Sequence, residues 1–521
     1  MLVKSIKWIM VLLWFISFIS CSNRNKPMKQ QLTKQTQGWY ALGEKAIEDK
    51  LNQKSFITKR GTAKNIILFV GDGMGISTVT ASRIYAGQLR GESGEENSLS
   101  FGKFPIVGLS KTYNTDSQTP DSAGTMTAII TGAKTKKGML SISDEANQGD
   151  CKSSKGNELR TALELAEIKG LSTGVVSTAR LTHATPAATY AHAASREWEH
   201  NSSIGSGCKD IASQFIDFSY GNGIEVAMGG GRREFMPNSA SKVEGKSGKR
   251  TDGRDLREEW KSKHLDGVYV ETKAEFDAID VSKNQKLLAL FNPSHMQYEA
   301  DKKNDKAGEP TLTEMTKKAI ELLKNNSKGF FLMVESGRID HAHHAGNAFN
   351  ALNETAELSK AVAMADALTD DTETLIIVTA DHSHVFTMAG YPVRGNPILG
   401  KVKESDGKGG DKGYTLGADG KPFTTLGYAN GRGFMDLKGE TNAGASYGHE
   451  VHKSGRVDLT NIDTTSSGFH QEATVPYSYE THGGEDVAIY AKGPGAILLS
   501  GTNEQNVIFH VMERMGNLKN R

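Results

Sequence analysis

Four short apolar runs stand out along the chain, and each passes into polar or glycine-rich residues. "NIILFV" (65–70) leads into "GDGMG", and "STGVVST" (172–178) into "ARLTHATP". "GFFLMVE" (329–335) leads into "SGRIDHAHH", and "TLIIVTA" (374–380) into "DHSH". Apolar, β-branched-rich runs of roughly four to eight residues read as strands covered on both faces, the pattern of a parallel sheet. Between them the period lengthens to that of helices. In "TLTEMTKKAIELLKNN" (311–326), Leu312, Met315, Ala319, Ile320 and Leu323 share one face. Thr311 and Glu314 make a capping box at its start. His341 to Asp370 reads as one longer, Ala-rich helix. Strands alternating with helices predict an α/β fold, a mostly parallel central sheet sandwiched by helices.

Residues 391–476 break this rhythm. Gly, Lys, Asp and Ser dominate, as in "KESDGKGGDKGYTLGADGK" (403–421). The stretch reads as a loop-rich surface insertion or a disordered linker, with Tyr414, Phe423, Tyr428 and Phe434 favouring some packing. At the other end, Lys4 and Lys7 precede an apolar run, Trp8 to Ile19, and then Ser20-Cys21. That is the layout of a secretory signal, and the run is shorter than the roughly 20 residues a spanning helix needs. The expected division is a signal at 1–20, a polar tether at 21–37 and one catalytic domain at 38–521 holding the insertion at 391–476. The net charge of +1 gives no basic excess for nucleic acid and no acidic tail. Gly is abundant at 56 and Pro sparse at 12, which suits tight loops between regular elements.

Ser20-Cys21 also resembles the lipobox of bacterial lipoproteins, although Phe18 stands where leucine is usual. The resemblance implies a lipid on Cys21 and a place in the periplasm or cell envelope. Export permits disulfides. With Cys21 taken by lipid, Cys151 and Cys208 remain, and a bridge between them is expected.

The strand ends carry the chemistry. Asp72 follows one run, Glu335 ends another, and Asp381-His382 follow a third. Asp340 and His344 come shortly after Glu335, four apart and therefore on one face of a helix. A lone Asp at a strand end is usually a cap. Several carboxylates on one sheet edge repel one another unless cations sit among them, and carboxylate with imidazole is a usual zinc ligand set. "GDGMG" lacks the spacing of a dinucleotide loop and the Lys-Ser/Thr of a P-loop. In "TPDSAGTMTAIITG" (119–132), Ser122 stands at a helix start, where backbone N–H groups face an anion. Alone it reads as a capping serine, and no G-x-S-x-G surrounds it.

Together "GDGMG", "PDSAG", "HATPAATYAHAASR", "ESGRIDHAHH", "TADHSH" and "ETHGGEDV", in this order, resemble the alkaline phosphatase family, its animal-type members above all. The resemblance implies a homodimeric phosphate monoester hydrolase with two Zn2+ and one Mg2+ per chain. By it, Asp340, His344 and His482 would bind one zinc, and Asp72, Asp381 and His382 the other. Asp72, Thr185 and Glu335 would serve the magnesium. Ser122 would be the nucleophile, Arg196 the phosphate clamp and Asp121 its support. His183 and His341 stand where the enterobacterial type has Asp and Lys, which predicts weaker magnesium binding and activity that rises with added magnesium. The Phe-Glu pair beside the calcium site of animal-type members reads Phe291-Asn292, so calcium is not expected. The insertion resembles the family's crown region. The implied use is broad phosphate scavenging outside the cytoplasm. A phosphodiesterase or sulfatase of the same superfamily is the rival enzyme, though no C-x-P-x-R motif for a sulfatase is present. A metal-sequestering lipoprotein would not need Ser122 or Arg196.

Overall fold

The computed structural model describes residues 61–518, apart from 205–206, 241–243, 245, 284, 438–449 and 454. The expected secretion signal, the tether and Cys21 lie outside the described residues. Among the described residues ten strands form the central sheet. They are β1 (Asn65–Gly71), β2 (Ile106–Lys111), β3 (Ser172–Arg180), β4 (Val226–Gly230), β5 (Val268–Val270), β6 (Leu287–Leu290), β7 (Phe330–Ser336), β8 (Thr374–Ala380), β9 (Val487–Lys492) and β10 (Gly501–Glu504). Their order across the sheet is β10-β2-β9-β8-β1-β7-β3-β4-β6-β5. Neighbours run parallel except at β9, which is antiparallel to both β8 and β2. The four apolar runs are four adjacent strands of this sheet.

Alternate residues of these strands feed two cores. On one face lie Ile66, Leu68 and Val70 of β1, Phe331 and Met333 of β7, and Leu375 and Ile377 of β8. On the other lie Ile67 and Phe69, Phe330, Leu332 and Val334, and Ile376 and Val378. A strand buried on both faces has no polar positions, which explains runs without alternation. The helices used below are α1 (Ile76–Gln88), α2 (Ser122–Thr131), α3 (Ala162–Lys169), α4 (Leu312–Leu323), α5 (Arg338–His344), α6 (Ala348–Leu368) and α7 (Val507–Met515). α2, α3 and α7 cover the first face, α4 and α6 the second.

The capping box of α4 forms as expected. Thr311 Oγ1 accepts from the Glu314 N–H at 3.1 Å, and Glu314 Oε2 accepts from the Thr311 N–H at 2.8 Å. The single helix expected over 341–370 is instead two. α5 begins earlier, at Arg338, and ends at His344; Gly346 turns with φ +73, and Asn347 caps α6 by accepting from the Asn350 N–H at 2.8 Å. A glycine able to take positive φ next to an asparagine cap ends one helix and starts another despite the continuous alanine pattern.

The insertion is partly ordered. Leu426–Gly431 joins Phe386–Met388 and Ala473–Pro476 in a three-stranded sheet. Ile398, Leu399, Leu426 and Tyr428 pack on Ile84 and Tyr85 of α1 and Leu352 of α6. Phe423 and Phe434 are half-buried and Tyr414 is exposed. Cys151 and Cys208 form the expected disulfide, with Cα atoms 5.7 Å apart.

Candidate active site

β8, β1 and β7 end level with one another: Gly71 pairs with Ala380 on one side and with Ser336 on the other. Asp72, Glu335 and Asp381-His382 therefore emerge side by side at the carboxyl edge, where open α/β sheets collect ligands. α5 starts just beyond β7 and adds Asp340 and His344 from its inner face. At Gly73 the loop after β1 has no room for a side chain. Gly73 holds φ +70, and a Cβ there would sit 2.4 Å from the His384 ring.

Ser122 is the first residue of α2. Asp121 caps that helix, its Oδ1 accepting from the N–H groups of Gly124 at 3.1 Å and Gly138 at 3.0 Å. The cap fixes the serine, whose Oγ lies 3.0 Å from His382 Nε2 and 3.3 Å from Asp72 Oδ1. The other Asp121 oxygen, Oδ2, accepts from Arg196 Nη1 at 3.1 Å. Arg196 also donates from Nη2 to His183 Nε2 at 3.1 Å. That contact assigns the His183 proton to Nδ1, which is buried without a hydrogen-bond partner.

Among the described residues, three groups of side chains converge closely enough to hold cations, with donor atoms inside 4.8 Å of each other in each group. Asp340, His344, His384 and His482 form the first; Asp72, Asp340 and His382 the second; Asp72, His183 and Glu335 the third. Second partners fix the imidazole tautomers. His344 Nδ1 donates to the Glu480 carbonyl at 2.5 Å, His482 Nδ1 to the Pro120 carbonyl at 2.8 Å and His382 Nδ1 to the Ser383 carbonyl at 3.2 Å. On the neutral rings of His382 and His482 this leaves Nε2 with a bare lone pair, whereas at His344 burial opposes the proton and Asp340 favours it, raising that ring above its ordinary value. The Nε2 atoms of His344 and His482 face each other at 3.0 Å, with Asp340 Oδ1 at 3.2 and 3.3 Å. Acceptors that converge without a proton between them fit a cation. At the third group, Asp72 Oδ2, Glu335 Oε1 and Thr185 Oγ1 are buried and make no hydrogen bond. Oxygen atoms of that kind suit a hard ion.

The electrostatics agree. Burial and the charges of Asp381, Asp340 and Glu335 push the Asp72 carboxyl well above its ordinary range. Burial, with the charge of Asp381, pushes Glu335 up to about 8 against the Ser177 hydroxyl that donates to it. Asp381 is raised too, mainly by burial. Burial holds His382 and His482 down at about 3, which keeps both rings neutral near pH 7. His183 and His341 are held well below the usual range, first by burial and then by nearby arginines.

The residues named from the sequence thus meet at one edge, with differences of detail. Asp381 Oδ2 lies 3.4 Å from His382 Nε2, and Asp340 stands between the first two groups. His183 reaches the third group directly. His341 stands behind His183, ring centroids 5.4 Å apart, and packs at 4.1 Å on His295, a residue the sequence reading left unassigned. His384 and Glu480 were missed as well. His384 Nε2 faces Asp340 Oδ1 at 2.8 Å and its Nδ1 faces Glu480 Oε2 at 2.6 Å. Burial opposes charge on this ring, but the two carboxylates, Glu480 and Asp340, push it up to about 10. The signal for His384 was its place in "DHSH"; Glu480 had none beyond its nearness to His482.

The alkaline phosphatase family model matches residues 63–518. The chain is 43% identical over 488 residues to the tissue-nonspecific alkaline phosphatase of Gallus gallus, covering 91% of this chain and 88% of that protein. It is 40% identical to the alkaline phosphatase of Gadus morhua, covering 91% and 95%. Among solved structures, the Thermus thermophilus alkaline phosphatase matches with a TM-score of 0.61 at 22% identity, over 90% of this chain and 95% of that one. The alkaline phosphatase of the Antarctic bacterium TAB5 matches with a TM-score of 0.58 at 22% identity, over 89% and 100%.

Proposed function

The chain belongs to the alkaline phosphatase family and is a phosphate monoester hydrolase, and from that premise we propose that it works through a phosphoserine at Ser122. The observation that carries the proposal is the Ser122 hydroxyl, fixed at the start of α2 within 3.3 Å of both Asp72 and His382. Two zinc ions would be held by Asp340, His344 and His482 and by Asp72, Asp381 and His382, and a magnesium ion by Asp72, Thr185 and Glu335. When bound, these cations supply Lewis acidity that lowers the pKa of the attacking hydroxyl or water and neutralises charge on the attacking and leaving oxygens.

The chain's own residues do the rest. Arg196 presents a planar fork that can hold two non-bridging phosphate oxygens, and Asp121 keeps it in place. A monoester dianion has the two charges that fork prefers; a diester has one. Ser122 Oγ gives up its proton to solvent and attacks in line, forming its bond to phosphorus as the bond to the ester oxygen breaks and that oxygen takes up a proton from water. Water then attacks phosphorus from the vacated side, the phosphorus–Oγ bond breaks, and the serine hydroxyl returns with release of inorganic phosphate. Such transfer depends mostly on positioning and charge. A site that grips only the phosphate accepts many alcohols, which supports a broad scavenging role. Export through residues 1–20, a lipid on Cys21 and assembly as a homodimer belong to the same reading.

The test compares hydrolysis of p-nitrophenyl phosphate and its bis-ester by full-length protein loaded with zinc and magnesium. Ser122→Ala is run beside it at matched metal content. A dominant monoester rate that collapses in the variant supports the proposal; a faster bis-ester would make the protein a diesterase and unseat the Arg196 clamp.

A further inference from the structure

Beyond the ladder of β8, the Asp381 carbonyl has no strand to bond. Pairing with β1 stops at Ala380 and pairing with β9 at Thr379. Gln505, in the turn after β10, supplies the missing donor: its Nε2 reaches the Asp381 carbonyl oxygen at 2.7 Å. Gln505 is fully buried although it follows an edge strand three positions away across the sheet. β10 and β8 run in the same direction, so the turn and Asp381 emerge at the same edge. The next residue grips the nucleophile's helix. Asn506 Nδ2 donates at 3.0 Å to the carbonyl of Gly132, the left-handed cap that ends α2. Two consecutive amides thus tie the turn bearing Asp381-His382 and the helix bearing Ser122 to one point.

We infer that Gln505 is a positioning residue for the reaction: it fixes the backbone of Asp381-His382 so that both side chains meet Ser122. The Asp381 side chain depends on that backbone, since its Oδ1 already accepts from the N–H groups of Gly73 at 3.0 Å and His382 at 2.9 Å. A rotated Asp381 peptide would carry the neighbouring His382 away from the serine. Gln505 is not itself a catalytic residue: its hydrogen bond goes to the Asp381 backbone carbonyl rather than to Ser122 or to a side chain of the candidate cation groups. The inference rests on the ligand and nucleophile roles proposed above.

The test uses full-length protein with Gln505→Met, which keeps volume and removes the donor. Gln505→Leu is a second variant that also removes the donor but carries no thioether, so misfolding of the first leaves the claim decidable. Zinc is withdrawn with a chelator and counted, kcat and KM are measured at saturating metal, and Tm is followed. Outer-shell partners of metal ligands typically matter by about 10–100-fold. The expected result is one zinc ion released at about tenfold lower chelator, the other released as in the parent, kcat about tenfold lower, and KM and Tm nearly unchanged. Zinc release and kcat equal to the parent in both variants overturn the inference. So does parallel loss of both zinc ions with a falling Tm, which assigns Gln505 to folding alone. Failure of the underlying reading looks different: Ser122→Ala would keep its turnover whatever Gln505 does to zinc.

Discussion

At the scale of single residues, the site is a set of acceptors whose protons have been assigned elsewhere. Nδ1–H groups of His344, His382 and His482 are spent on backbone carbonyls, which leaves three Nε2 atoms and several carboxylates facing inward. Arg196 is the cation of the chain itself, held between Asp121 and His183. Truncating a charged group that makes such bonds to an anion costs several kcal/mol, so Arg196→Ala should lower kcat/KM for a monoester about a hundredfold and weaken inhibition by inorganic phosphate. Inhibition constants and steady-state rates check both. His183 brings a neutral ring to Asp72 and Glu335, where a carboxylate would add charge. Activity of the parent should rise on magnesium addition, and His183→Asp should reach half-activation at about tenfold less magnesium; a magnesium titration reads this. Asp72, Glu335, Asp340, His344, Asp381 and His382 were legible because they follow strong strand signals, whereas Ser122, Arg196 and His482 needed the ordered family motifs. His384 and Glu480 were not legible, because each acquires meaning only from a partner far along the chain: Asp340 is 44 positions from His384, and Glu480 is 96 from it.

At the scale of elements, strand identity was legible and strand order was not. Unbroken apolar runs announced β1, β3, β7 and β8, but nothing local stated that β8, β1 and β7 are neighbours ending level, and that adjacency makes the site. The break between α5 and α6 was written in Gly346-Asn347, yet the alanine period hid it. Element contacts also store a pH response. Glu167 on α3 is buried beside Glu225, which precedes β4; burial first, then the charge of Glu225, pushes it up to about 7 from an ordinary value of 4.5. Its folded pKa is raised, so its contribution to stability is fully present below pH 4.5 and is lost as pH rises through about 7. Glu167→Gln, which imitates the protonated form, should therefore raise Tm at pH 8 and change it little at pH 5. Thermal unfolding at the two pH values decides.

At the scale of the whole molecule, three layers carry a reactive edge, and the long connections around it need anchoring. The Cys151–Cys208 bridge closes a separation of 57 residues. Restricting a loop of that size in the unfolded chain contributes about 2–4 kcal/mol, so replacing both cysteines by serine should lower the unfolding free energy by that order with the metal groups intact, as denaturant titration can measure. The central claim is narrower: a monoester's phosphate passes through Ser122. Full-length enzyme turning over p-nitrophenyl phosphate with zinc and magnesium would be quenched in acid, digested and analysed by mass spectrometry. The account predicts phosphate on the peptide containing Ser122, and none when the residue is alanine. A peptide that stays unmodified during turnover, or phosphate on another residue, would contradict it.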